Sequence, residues 1–212
     1  MKPIVNIDIV SDVVCPWCVI GYGRLKKAIA NSVSQLDVNI TWHPFELNPG
    51  MPLEGENLRS HLAQKYGTSL EESIRARAML TDEGKKVGFE FNYFEEMKML
   101  NTHQCHQLLH WAKESKLQSQ LAEALFEHFF SNKGIFTEEE LVNIAEKVGL
   151  NAQQARSILS DNTYSEDVSL IEQQWPPKGV RGVPLFIFNG ERALSGAQSI
   201  GTFEHLLNQF LK

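Results

Sequence analysis

Cys15 and Cys18 stand on either side of Pro16 and Trp17 in the run SDVVCPWCVIGYGRL, residues 11–25, and the 212-residue chain holds one further cysteine, Cys105. A pair at this spacing can close a small disulfide ring, exchange it with an outside sulfur, or supply two ligands to a metal. Three cysteines do not make the even-numbered framework by which short secreted chains replace a core. Zinc would need four ligands, and two of them are not evident. Cys105 lies on the apolar face Cys105, Leu108, Leu109, Ala112 of a predicted helix, where a buried, inert thiol is expected. Exchange chemistry is therefore the preferred reading of the pair, and no metal is expected.

The elements around the pair decide which sulfur reacts. Residues 4–10, IVNIDIV, alternate Val5, Ile7 and Ile9 with Asn6 and Asp8, the two-residue period of a strand. Leu25, Ala28 and Ile29 then recur at helical spacing, and Pro16 suits a first helical turn because its missing N–H has no partner to lose there. Cys15 thus falls at a helix N-cap, where unpaired N–H groups and the helix dipole favour a thiolate. Cys18 lies one turn further in and more shielded. Cys15 is expected to attack and Cys18 to resolve the mixed disulfide. Pro16 stiffens the turn, while Trp17 offers an apolar face to a substrate and no imidazolium to stabilise Cys15, which predicts a less oxidising couple than one with histidine there.

Further along, residues 38–43 read as a second strand and PFELNPGMP as a loop. Residues 56–175 read as helical, with capping-box spacings at Ser69/Glu72, Thr137/Glu140 and Thr163/Glu166 and stop signals at Gly67, Gly88, Gly134 and Gly149. Leu185–Phe188, the turn Asn189-Gly190 and residues 191–195 read as a hairpin, and Ile200, Phe203, Leu207 and Phe210 as a closing amphipathic helix. The order is a βαβ half and a ββα half around an insertion of about 120 residues, the scale of a small domain. Expected boundaries are 1–50 and 176–212 for the two halves of one α/β domain and 51–175 for an all-helical insertion domain.

Composition narrows the partners. A formal net charge of -6 disfavours nucleic acid and anionic membranes. The first residues, MKPIVNIDIVSD, lack a basic run followed by an apolar one, and no apolar stretch nears the roughly 18 residues of a membrane span. A cytoplasmic protein is expected, where thiols are mostly reduced.

Four stretches, SDVVCPWCVIG, WHPFELNP, NTHQCHQLLHWA and GVRGVPLFIFNGERALSGAQ, resemble the DsbA-like branch of the thioredoxin superfamily, and within it the FrnE-like proteins. The first and last are the specific ones. The resemblance implies a thioredoxin fold interrupted by helices, a dithiol-disulfide oxidoreductase or isomerase acting on protein thiols and disulfides, no bound cofactor, and glutathione as a candidate co-substrate. It further implies a cis Val183–Pro184 bond in a loop against the reactive cysteine, its backbone pairing with bound peptide or glutathione. Pro184 would otherwise read simply as the start of a strand. Two features depart from the pattern: Trp175-Pro176-Pro177 stands where a helix usually runs on, and Cys105 where a small residue is expected.

Other residues invite weaker readings. His103, His106 and His110 fall on one side of a predicted helix, and His106 with His110 has the spacing of metal ligands, but a solvated or cleft-facing polar strip is the favoured reading. The resemblance places Asn101 and His106 near the cleft, with a role in positioning substrate. Asp12 could assist proton transfer, although an aspartate there more often organises a turn. Arg181 could add positive charge, although an exposed loop arginine is the commoner case. Two other functions compete: glutathione-dependent transferase or 2-hydroxychromene-2-carboxylate isomerase chemistry, whose sites typically carry serine where Cys15 stands, and a redox-regulated chaperone or binding module.

Overall fold

A computed structural model of the chain describes residues 2–32 and 36–211. Strand β1 (Ile4–Ser11) leads into helix α1 (Pro16–Ser32) and strand β2 (Asp37–Pro44). Its alternating Val5, Ile7 and Ile9 are at most 1% exposed, because β1 is the inner strand of a sheet ordered β2-β1-β5-β6. β2 runs parallel to it, in the register Val5 to Val38 and Ile9 to Trp42. Strand β5 (Leu185–Phe188) runs antiparallel, with Ile7 opposite Phe188 and Ile9 opposite Phe186. Strand β6 (Arg192–Ser195) returns through the two-residue turn Asn189-Gly190, where both residues have positive φ, 50° and 70°. An Asn-Gly pair adopts that geometry at low cost, as the sequence predicts. Helix α9 (Ile200–Asn208) closes the chain against α1 and drives Phe203 between Phe186 and Phe188.

Between β2 and β5 lie a short ribbon of β3 (Glu56–Asn57) with β4 (Lys98–Met99) and seven helices: α2 (Leu58–Tyr66), α3 (Leu70–Val87), α4 (His103–Ala112), α5 (Gln118–Phe126), α6 (Glu138–Lys147), α7 (Ala152–Asp161) and α8 (Ser165–Glu172). Helices α4, α5 and α8 pack on β2, while α3 packs on α1. Ser69 and Glu72 form the expected reciprocal cap at the start of α3, and the Thr137 hydroxyl accepts the Glu140 N–H at α6.

Three expectations for this segment need correction. It is not all helical: Phe89, Phe91 and Tyr93 alternate with polar residues, so 89–102 runs without helix, and the rings gather on Phe130. Thr163 does not cap a helix. Its N–H completes the end of α7 on Ile158 O, and α8 begins two residues later without a side-chain cap. Nor does Gly134 end a helix, since α5 passes through a π-helical turn, Glu127–Ser131, that closes at Asn132. The His128 ring fills the space a Cβ at 134 would need, so glycine there answers a close approach. Among the described residues, no helix is long and apolar enough to cross a membrane.

Phe186 is fully buried where β5 meets α1 and α9, 5.0 Å from the Phe203 ring. Phe186→Ala is expected to cost about 3–5 kcal/mol, and thermal unfolding should show a Tm loss of roughly 10 °C. A change within a degree or two would mean that this face is not part of the central core.

Candidate active site

The end of β1 delivers Cys15 to its place. Its N–H bonds Asp12 O at 3.1 Å, and its carbonyl accepts the N–H groups of Cys18 at 3.0 Å and Val19 at 3.4 Å, which makes it the cap of α1. Cys15 is 4% exposed and Cys18 1%, whereas Trp17 projects outward at 37%. Burial pushes the Cys18 thiol well above its usual pKa, and the sulfur of Cys15 beside it pushes the same way; the Ser11 hydroxyl opposes both. Cys18 is therefore the proton-holding partner of the pair. All three cysteines are free thiols. Cys105, fully buried on α4, is likewise held protonated, by burial first and then by the charge of Asp12.

The loop before β5 supplies the facing wall. The Val183–Pro184 peptide is cis, and Val183 O lies 3.7 Å from Cys15 Sγ, in line to accept the thiol's hydrogen across 168 positions of sequence. Trp175 anchors this loop. Its indole N–H donates to Pro44 O at 2.9 Å, its ring is 5.7 Å edge-on from that of His43, and it packs in one apolar group with Val10, Leu185 and Val183. The chain then leaves through a 3-10 turn, Pro176–Lys178. Trp175-Pro176-Pro177 is thus a buried peg followed by a bend. Arg181 is exposed on the loop two residues before Val183.

A cavity of about 390 Å³ is lined by Cys15, Pro16, Trp17 and Val183 together with Leu58, Leu80 and Phe130 among others. The sequence does not single out this apolar wall, since its residues come from four separate parts of the chain. A hollow of similar size, about 400 Å³, lies around Tyr22 and Lys26 and contains no cysteine.

The histidine strip on α4 is not solvated. His106 is 2% exposed, with Nε2 3.5 Å from Asp12 Oδ1. His103 bonds Glu46 at 2.7 Å through Nδ1 and Ser165 Oγ at 2.8 Å through Nε2. His110 is half-buried beside the Tyr164 ring. The helix is enclosed by the loop after β2 and by α8, so its polar side faces other parts of the protein. Asp12 organises the turn after β1, since its Oδ2 accepts the Leu47 N–H at 2.8 Å and its carbonyl accepts from Cys15. Asn101 also serves the backbone, donating to Met51 O and accepting the His103 N–H. The cavity it lines, with Glu46 and Glu172, is not the one at Cys15. The structure therefore brings Cys15, Pro16, Trp17 and Val183 together around one cavity, with Cys18 behind them and Pro184 buried at the base of the loop. Asn101 and His106 lie elsewhere. Among the described residues, no group of three or more His, Cys, Asp or Glu is placed to hold a metal ion.

The sheet order, a helix that starts at the first cysteine of a C-x-x-C pair, and a helical segment set between the two halves of the sheet define a thioredoxin-fold protein. The chain belongs to the DSBA-like thioredoxin domain family, whose description matches residues 6–208. It is 28% identical over 207 residues to the uncharacterized protein YwbO of Bacillus subtilis, covering 96% of each chain. A probable DsbA oxidoreductase from Streptomyces coelicolor superposes with a TM-score of 0.87 at 29% identity, over 97% of this chain and 89% of that one. The cytosolic disulfide reductase DsbM from Pseudomonas aeruginosa, solved with GSH, has a TM-score of 0.63 at 14% identity, over 97% and 98% of the two chains, a likeness of fold.

Burial lifts the Glu172 carboxyl to about 7, helped by Glu46 and Asp12 and opposed by His106 and His103. Burial pushes His106 down, but the facing Asp12 carboxylate and the charges of Glu172 and Glu46 outweigh that and leave it raised. Both groups hold protons in the fold that the unfolded chain releases sooner. Their contribution is present at low pH and is lost as pH rises, for Glu172 between about 4.5 and about 7. Glu172→Gln should therefore flatten the fall of Tm between pH 5 and 8 and raise Tm at pH 8 by roughly 3–6 °C. An unchanged slope in thermal melts would show that Glu172 is ionised throughout.

Proposed function

We propose that this chain is a dithiol-disulfide oxidoreductase, with Cys15 as nucleophile and Cys18 as resolving thiol. The observation that carries the reading is the asymmetry of the pair: Cys15 caps α1 beside Val183 at the mouth of a cavity, while Cys18 is sealed one turn deeper and keeps its proton. The thiolate of Cys15 attacks a disulfide, one S–S bond breaks, and the first thiolate leaves with a mixed disulfide formed on Cys15. Cys18 then gives up its proton and attacks Cys15 Sγ. The second thiolate leaves, the Cys15–Cys18 disulfide forms, and two electrons have passed to the substrate. The reverse sequence oxidises a dithiol, and attack on wrongly paired protein disulfides gives isomerisation.

Protein cysteines and glutathione are the partners to which this exchange applies, with no bound cofactor, and a cytoplasmic setting would supply reduced thiols to reset the pair. The backbone at Val183, the Pro184 ring behind it, and the faces of Pro16 and Trp17 would hold the substrate next to Cys15. Arg181 is a candidate accessory residue on the same loop. A second reading, glutathione-dependent chemistry on small aromatic molecules, gains from the apolar cavity but leaves Cys18 without a task. A redox-switched chaperone leaves the cavity at Cys15 without one.

Cys15→Ser should reduce catalysed reduction of an insulin disulfide or oxidised glutathione to the uncatalysed rate. Cys18→Ser should accumulate a mixed disulfide on Cys15, seen by mass spectrometry and released by dithiothreitol. Turnover retained in Cys15→Ser, or an adduct formed on Cys105, would contradict the assignment.

A further inference from the structure

Three residues that line the cavity at Cys15 carry polar atoms that the exchange chemistry leaves unused. Arg77 Nη2, Tyr93 Oη and Thr68 Oγ1 are each buried, and none makes a hydrogen bond within the protein. All three residues line the cavity that Cys15 also lines. The Arg77 guanidinium lies 5.6 Å above the Tyr93 ring, and Tyr93 is close enough to Cys15 for that sulfur's charge to act on its phenol.

The other charged groups around the cavity are occupied. Glu72 accepts the N–H and hydroxyl of Ser69 in the cap of α3. Lys65 donates to Leu47 O and Asn48 Oδ1. His61 sits between Glu56 and Asn48. Arg59, whose charge acts on Arg77, donates to Glu95 from Nη1 and Nη2, at 2.5 and 2.8 Å. Burial first and then the Arg59 charge disfavour the Arg77 cation, and the Tyr93 and Glu95 charges offset them only in part, so an anion at Arg77 would add a favourable partner where Nη2 has none.

The remaining wall is aliphatic and aromatic, from Leu58, Leu62, Leu80, Met99, Phe129 and Phe130. A volume of about 390 Å³ is that of a small-molecule site. A carboxylate on an apolar body matches both the three polar atoms and the apolar wall, which the mostly polar backbone of glutathione does not.

Resting on the exchange reading, we propose that the substrate of this site is a low-molecular-weight disulfide, or the thiol derived from it, with an apolar body and a carboxylate. The carboxylate is bound by Arg77, with Tyr93 and Thr68 donating their hydroxyl hydrogens, the body fills the apolar wall, and the sulfur meets Cys15. Reaction follows the balance already given: the substrate disulfide takes two electrons and yields two thiols, Cys15 and Cys18 become a disulfide, and glutathione or a dithiol reductant restores them.

The test mixes the reduced protein with excess 4,4′-dithiodibenzoate, with its neutral diamide, or with oxidised glutathione, and follows release of the first thiolate in single turnover. Rates divided by those of free 2-mercaptoethanol remove the intrinsic reactivity of each disulfide. The dicarboxylate should half-saturate the protein at a concentration about tenfold lower than the diamide, the worth of one charge-assisted hydrogen bond. Arg77→Met should erase that preference while leaving the diamide within about twofold, and Arg77→Lys should restore part of it. Tyr93→Phe, which keeps the ring, should weaken only the dicarboxylate, and it decides the matter if Arg77→Met does not fold. Equal binding of dicarboxylate and diamide, a preference that survives in both Arg77→Met and Tyr93→Phe, or tighter binding of oxidised glutathione would overturn the proposal. If no disulfide reacts faster than with a free thiol, the exchange reading itself fails.

Discussion

The site depends on β1 being held from both sides. β2 pairs with it in parallel and β5 antiparallel, and its Val5, Ile7 and Ile9 are sealed from water. Register on a strand buried this way is strongly specified, since a one-residue slip would turn every apolar side chain to the wrong face. The same register sets where β1 stops, and hence where α1 starts and Cys15 sits. It also sets where β5 begins, and so brings Val183 O within 3.7 Å of Cys15 Sγ from far along the sequence.

From this placement the two thiols acquire different physics without different chemistry. Cys15 stands at the cap of α1, open to the cavity, and Cys18 stands behind it in the core, where desolvation keeps its proton on. Beneath the turn, Asp12, His106, Glu172, Glu46 and His103 interact as one buried cluster. Such a group is costly to build and sensitive to the loss of any one member. It ties the end of β1 to α4, the loop after β2 and α8.

Much of this was legible in the residues because local rules and global fold agree. The period of two in IVNIDIV, Pro16 at a helix start and Asn189-Gly190 at a hairpin each have one inexpensive solution, and the structure takes it. The resemblance supplied the fold class and the expectation about Val183–Pro184, which spacing alone leaves open. What was not legible depends on partners distant in sequence. Phe89, Phe91 and Tyr93 stay extended because Phe130 receives them, and no local signal reports Phe130. Gly134 looks like a stop but is a clearance for His128. The strip His103, His106, His110 looks polar and outward, yet Glu46, Asp12 and Ser165 enclose it from three other segments. The cavity wall was the least legible part, since Arg77 is one of two arginines on α3 until Tyr93 is brought beside it.

The most direct measurement of the central claim is equilibrium of the protein in glutathione buffers of graded redox ratio, with each cysteine's state read by alkylation and peptide mass. One two-electron transition is expected, in which Cys15 and Cys18 join to each other while Cys105 stays reduced throughout. A protein in which Cys15 and Cys18 remain separate thiols at every ratio, or in which Cys105 enters the disulfide, would contradict it.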